Sequence, residues 1–361
     1  MIPQIEPWID ERELQQLNEV IEAKWLVEGS KTEQFEHRFA RMVGCRHAVA
    51  VNNATVALYL VLKALGLGDG DEVILPDFTF IATVNAVVWT GAKPVLVDIQ
   101  EQTLCLDPEQ VQEHLTPRTR AIIPVHLYGQ SADMEALRSI VDGRDISIIE
   151  DASESIGCRF QERHVGVWGR AGCFSFYGNK TITTGQGGMI TTDDEEIARM
   201  CFILKNQGRE TRGTFIHHHF GYNFSFTDLQ AAIGLAQMGK LNEILRRKLK
   251  VHRRYRDALD DVGAICFPRG DPRCQTVPWF TNILVDDPEA LGEHLAKGDI
   301  GTRRLFYPLH LQPCYRGWFE DRYPVSVRMY QKGLSLPSAA TLKENEIEMV
   351  CERIRSFYCG G

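Results

Sequence analysis

A single lysine stands in a polar, glycine-rich stretch between two apolar runs. Residues 174–189 read Phe-Ser-Phe-Tyr-Gly-Asn-Lys-Thr-Ile-Thr-Thr-Gly-Gln-Gly-Gly-Met, a strand that opens into a loop and returns to a strand at 189–192. Packing explains Lys180 poorly. An amine held on a rigid turn explains it better, because lysine serves as nucleophile or base once burial or charged neighbours make its neutral form accessible. Acids lie upstream. Residues 146–151 are an apolar run ending in Glu150 and Asp151, and Glu154 follows shortly after. An acid at the C-terminal end of a buried parallel strand is where α/β proteins place site residues.

Pyridoxal phosphate (PLP) needs such a pair: a lysine for covalent anchorage and a carboxylate facing its pyridinium nitrogen. Lys180 and Asp151 supply it. Glu150-Asp151-Ala152-x-Glu154, Phe174-Ser175-Phe176-Tyr177-x-x-Lys180 and Thr183-Thr184-Gly185-x-Gly187-Gly188 together resemble the DegT/DnrJ/EryC/StrS family of nucleotide-sugar aminotransferases. The resemblance runs over nearly the whole chain. It implies an α/β protein of the aspartate-aminotransferase fold (fold type I), with a mostly parallel seven-stranded sheet and a smaller C-terminal α/β domain. It also implies PLP as cofactor, with pyridoxamine phosphate in turnover, L-glutamate as amino donor, and a homodimer with shared active sites. The 178–185 loop most resembles members that aminate C4 of GDP-4-keto-6-deoxymannose, a step of lipopolysaccharide O-antigen synthesis. The base (GDP, dTDP or UDP), the sugar configuration and C4 against C3 amination stay open.

Residue by residue, the resemblance gives Lys180 the anchoring and proton-moving role and Asp151 the ring nitrogen. Glu154 falls near the ring hydroxyl and Ser175 at the phosphate. After the strand at 48–51, the Asn53-Ala54-Thr55 turn and a helix N-terminus form an anion site, since backbone N–H groups converge there. Ala54 stands where the family motif has glycine, and an ordinary N-cap by Asn53 is the plainer account. Phe80, after the strand at 72–75, maps to the aromatic that stacks on the cofactor; without the resemblance it reads as core. Asn223, in Gly-Tyr-Asn-Phe-Ser-Phe-Thr-Asp, matches the asparagine that reaches the neighbouring subunit's phosphate, and Ser225 replaces a common basic residue. Arg303, Tyr307 and His310 fall in the stretch that approaches the sugar nucleotide. Phosphate contact and a structural role are equally open for Arg303 and His310.

These residues need a scaffold. Apolar strands at 48–51, 72–75, 94–98, 121–125 and 146–151 alternate with helical patterns, which is the signature of a parallel sheet covered on both faces. Three regions are expected: a helical arm at 1–30, a large cofactor domain at 31–240, and a small domain at 241–361 entered through a long basic helix at 241–259. Helical spacing over 8–25 rests on Leu14, Leu17, Val20 and Ile21; Trp25 reads as packing, while the resemblance, which places this segment near the active site, leaves a minor substrate role open. His126 reads as a hydrogen-bonded histidine at a strand end, and His217–His219 as a solvated loop.

The chain has 361 residues, 44% hydrophobic and 24% charged, as in ordinary globular enzymes. A net charge of −8 argues against a nucleic-acid partner. No apolar run reaches membrane-spanning length and no signal-like segment opens the chain, so a cytoplasmic enzyme is expected. Ten scattered cysteines without C-x-x-C fit reduced thiols rather than zinc or a disulfide framework. Three competing readings fare worse. A sugar dehydratase of the same fold has histidine where Lys180 stands. A nicotinamide-dependent dehydrogenase would need G-x-G-x-x-G between its first strand and helix. A non-catalytic binding protein would have no use for Lys180, Asp151 and Asn223 together.

Overall fold

The computed structural model describes residues 1–211 and 213–359. Seven strands form the central sheet in the order β1 (His47–Val51), β9 (Gly188–Thr192), β8 (Ala171–Ser175), β5 (Ser147–Asp151), β4 (Thr119–Ile122), β2 (Glu72–Pro76) and β3 (Lys93–Val97). From β8 to β3 the neighbours run parallel, while β9 is antiparallel to both β1 and β8. The expected mostly parallel seven-stranded sheet is therefore present.

The strands bury both faces, and successive residues supply separate cores. Ile148, Phe174 and Met189 join one cluster with Phe35 and Phe39; Ile149, Cys173 and Ile190 join the other with Val56 and Leu60. Helices α3 (Ala54–Ala64), α4 (Ala82–Thr90) and α7 (Glu195–Lys205) cover the second face. Helices α2 (Ser30–Val43), α5 (Pro108–Glu113), α6 (Met134–Val141) and α8 (Asp228–Gly239) contribute to the first.

A third core joins the long helix α9 (Leu241–Leu259) to α10 (Pro288–Ala296) and α12 (Glu344–Cys359). Its antiparallel sheet runs β11 (Thr281–Leu284), β13 (Gly333–Leu336), β12 (Arg303–Arg304). Two further elements carry no clear local pattern. Helix α11 (Pro324–Lys332) precedes β13, and a side sheet pairs β6 (Arg159–Phe160) with β7 (Arg163–His164) and β10 (Cys274–Gln275).

Helix α1 (Glu11–Ala23) starts later than its apolar spacing implies, because Asp10 and Glu13 form a capping box. Its buried side chains are Val20 and Glu13, whose carboxylate pairs with Lys240 at 2.8 Å. Leu14 and Ile21 are exposed. Trp25 is 58% exposed with its indole N–H on Glu28 O, so core packing does not account for it. Ile2 bridges to Ile300, which ties the first residues to the third core. Among the described residues no helix is long and apolar enough to cross a membrane.

Candidate active site

Glu150 and Asp151 end β5 and, as strand neighbours, face opposite sides of the sheet. Glu150 is fully buried and accepts four hydrogen bonds: Gly166 N at 2.6 Å, Trp168 N at 2.6 Å, Gly169 N at 2.7 Å and His126 Nε2 at 2.9 Å. Ala132 N–H donates to His126 Nδ1, so the His126 proton sits on Nε2, toward Glu150. Both groups are structural. Asp151 Oδ2 accepts from Thr83 Oγ1 at 2.9 Å and Oδ1 from Ser153 N at 3.1 Å. That grip orients a carboxylate at the sheet end.

Lys180 lies in the loop between β8 and β9. Its Nζ donates to Glu154 Oε1 at 3.3 Å and sits 3.7 Å from the centroid of the Trp279 ring. Glu154 Oε2 accepts from Tyr128 N at 3.0 Å. Burial pulls the Lys180 amine below its ordinary pKa, against the pull of Glu154 and Asp151, and pushes Glu154 up against the pull of Lys180.

The sheet register places an anion cradle beside these groups. Asp151 pairs with Cys173, Ser175 with Gly188, and Gly188 with Val51, so β5, β8, β9 and β1 end side by side. Asn53 caps α3 through Val56 N at 3.0 Å. The amides of Ala54 and Thr55 belong to its first turn, where no helical carbonyl precedes them. Ala54 is helical rather than left-handed, so the position does not require glycine. Gly188 provides the close approach instead: a Cβ there would collide with the Asn53 backbone. Ser175 Oγ accepts Tyr177 N at 3.3 Å, which leaves its O–H for another acceptor. An amine, a fixed carboxylate and first-turn amides fit PLP. Asn223 is exposed, in a bridge with Asn206.

An aromatic row leads from the lysine outward. Trp279 stacks on Tyr128, Tyr128 on Phe306, and Phe306 meets Phe80 at 5.9 Å. Phe80 is 57% exposed rather than core. The Arg303 guanidinium lies 5.1 Å from Trp279, 4.9 Å from Phe280 and 5.4 Å from Phe306, and its buried Nη2 has no hydrogen-bond partner among the described residues. Tyr307 is partly exposed against Tyr330. His310 is buried and clamped by Asp77, with Nδ1 on Oδ2 and the amide on Oδ1, both at 2.8 Å. Sequence reasoning missed Trp279, Tyr128 and Thr83. Tyr128 had a local sign, its place just after the strand at 121–125; Trp279 had none.

Known proteins resemble this chain over nearly its whole length. The sequence model described as the DegT/DnrJ/EryC1/StrS aminotransferase family matches residues 7–355. The chain is 36% identical to GDP-perosamine synthase of Escherichia coli O157:H7, covering 99% of this chain and 98% of that one. It is also 36% identical to spore coat polysaccharide biosynthesis protein SpsC of Bacillus subtilis, covering 99% and 97%. The solved structure of DesV from S. venezuelae superposes with a TM-score of 0.92 at 34% identity, covering 96% and 94%.

Proposed function

The chain belongs to the DegT/DnrJ/EryC1/StrS aminotransferase family, and from that premise we propose that it carries an amino group from L-glutamate to the C4 keto group of GDP-4-keto-6-deoxymannose, giving GDP-perosamine. The family's members are PLP-dependent sugar aminotransferases. The observation that carries the reading is the largely buried Lys180 amine in reach of Glu154, at the sheet end that also holds Asp151. For the sugar, support comes from the lysine loop and from the E. coli relative. Equal identity to SpsC means that overall similarity does not choose the substrate.

When bound, PLP supplies an electron sink for charge at the donor's α-carbon. Asp151, fixed by Thr83 and Ser153, is the carboxylate that would hold a proton on the ring nitrogen. Lys180 moves the proton at the donor α-carbon and, in the second half of the cycle, at C4 of the sugar. Burial serves this by making its neutral amine accessible. Ala54, Thr55 and Ser175 would hold the phosphate, and Phe80 would cover the ring. Arg303 and Tyr307 contact the sugar nucleotide, while His310, through Asp77, anchors the segment that carries them. Asn223 serves the phosphate of a second copy. Phe215, Ile216 and Phe220, exposed just before it, are apolar area that a second copy would cover.

The test is to supply L-glutamate with GDP-, dTDP- or UDP-linked 4-keto-6-deoxy sugars separately and identify products by mass and NMR. A C4 amine from the GDP sugar alone supports the proposal. Turnover only with another base, or amination at C3, replaces the substrate. Mixing Lys180→Ala and Asn223→Ala chains should restore activity that neither homodimer has; no recovery would refute the shared site.

A further inference from the structure

Trp279 is held in place by contacts that do not involve the lysine. Its N–H donates to Tyr128 O at 3.2 Å, and its carbonyl accepts Lys248 Nζ at 2.9 Å. Its ring stacks on Tyr128 at 6.1 Å and 16°. Gly129 adopts φ 85°, and a Cβ there would overlap the Val277 carbonyl, so glycine is what lets this segment approach. The side chain is 2% exposed.

Two parts of the same indole then meet the lysine loop. The ring face lies 3.7 Å from Lys180 Nζ. The indole N–H donates to Asn179 O at 2.8 Å, one residue before the lysine. A buried tryptophan needs a partner for its N–H. Here the partner is the backbone of the lysine loop, a hundred residues away in sequence. We propose that Trp279 is a positioning residue of the reaction, one that holds the Lys180 amine between its ring face and Glu154 and fastens the lysine loop to the segment entering β11. The inference rests on the aminotransferase reading.

The consequence is chemical as well as steric. An aromatic face favours ammonium over amine. Trp279 therefore restrains the lowering of Lys180's proton affinity that burial imposes. The N–H bond fixes where the amine stands, and displacements of about 1 Å cost roughly 100-fold in rate.

The test compares Trp279→Phe and Trp279→Leu in the full chain. Labelling of Lys180 by an amine-acylating reagent against pH, read by mass spectrometry without cofactor, gives the amine's titration. Absorbance of the PLP-loaded protein against pH, kcat and KM are read alongside. In Trp279→Leu the Lys180 titration should move down by about one pH unit. In Trp279→Phe, which keeps a ring but loses the N–H, the titration should move less while kcat falls at least about 10-fold with donor KM little changed. If Leu fails to fold, Phe decides through kcat. Lower melting temperatures with wild-type Lys180 titration and wild-type kcat would make Trp279 mere packing and overturn the proposal. A wild-type chain that neither takes up PLP nor converts a keto sugar would instead overturn the aminotransferase reading, and the labelling curve would still decide the placement of the amine.

Discussion

Lys180 Nζ stands 3.3 Å from Glu154 Oε1, and the other oxygen of Glu154 takes the Tyr128 amide at 3.0 Å. One carboxylate thus joins the Lys180 amine to the 3₁₀ turn at Leu127–Gly129. Burial pulls the amine's proton affinity down and pushes the carboxyl's up, which narrows the gap between the two partners.

Glu154→Gln tests that pairing. Glutamine can still accept from Tyr128 but cannot take a proton from the amine. Steady-state kinetics should show kcat lower by about 100-fold, with unfolding temperature nearly unchanged. A kcat close to wild type would remove Glu154 from proton handling.

Glu150 and Asp151 should separate stability from activity. Glu150→Ala leaves three amides and the His126 N–H without an acceptor in the core, a loss of about 3–5 kcal/mol in urea unfolding. Asp151→Asn should leave stability within about 1 kcal/mol but lower kcat by about 100-fold or more, because a neutral amide does not hold a proton on the ring nitrogen. The reverse pattern would exchange the two assignments.

Lys248 gives a pH signature. Its amine is buried in α9 with the Trp279 and Ser338 carbonyls as partners, and burial pushes its pKa down to about 7. In the unfolded chain the value returns to about 10.4. Between the two, the unfolded chain binds a proton that the folded chain does not. Stability from this group therefore rises with pH from about 7 to about 10, at up to about 1.4 kcal/mol per pH unit. Lys248→Met should flatten the rise of the urea midpoint between pH 7 and 9. An unchanged slope would show that the lysine does not titrate there.

Chemistry that fits within a short stretch of chain is legible in the amino-acid order. A lysine in a glycine-rich loop and an acid at a strand end each advertise themselves within a few residues, and the alternation of apolar strands with helices dictates the sheet. What escapes is non-local. Trp279 meets Asn179 across a hundred residues, and Asp77 grips His310 from the far end of the chain. Apolar spacing misjudges α1, where buried Glu13 is matched by Lys240 while Leu14 and Ile21 stay exposed. Helix α11 has no clear local apolar pattern, and its first turn is held from far along the chain by Asp98, which accepts from Val325 N and Ser326 N.

The central claim is that the Lys180 amine carries the amino-transfer chemistry. The most direct measurement is the visible spectrum of PLP-loaded protein through both half-reactions, for wild type and Lys180→Ala. L-glutamate should bleach the wild-type cofactor band, and GDP-4-keto-6-deoxymannose should restore it. Lys180→Ala should bind pyridoxamine phosphate yet show no turnover. A variant that cycles as fast as wild type, or a wild-type spectrum unmoved by both substrates, would contradict the account.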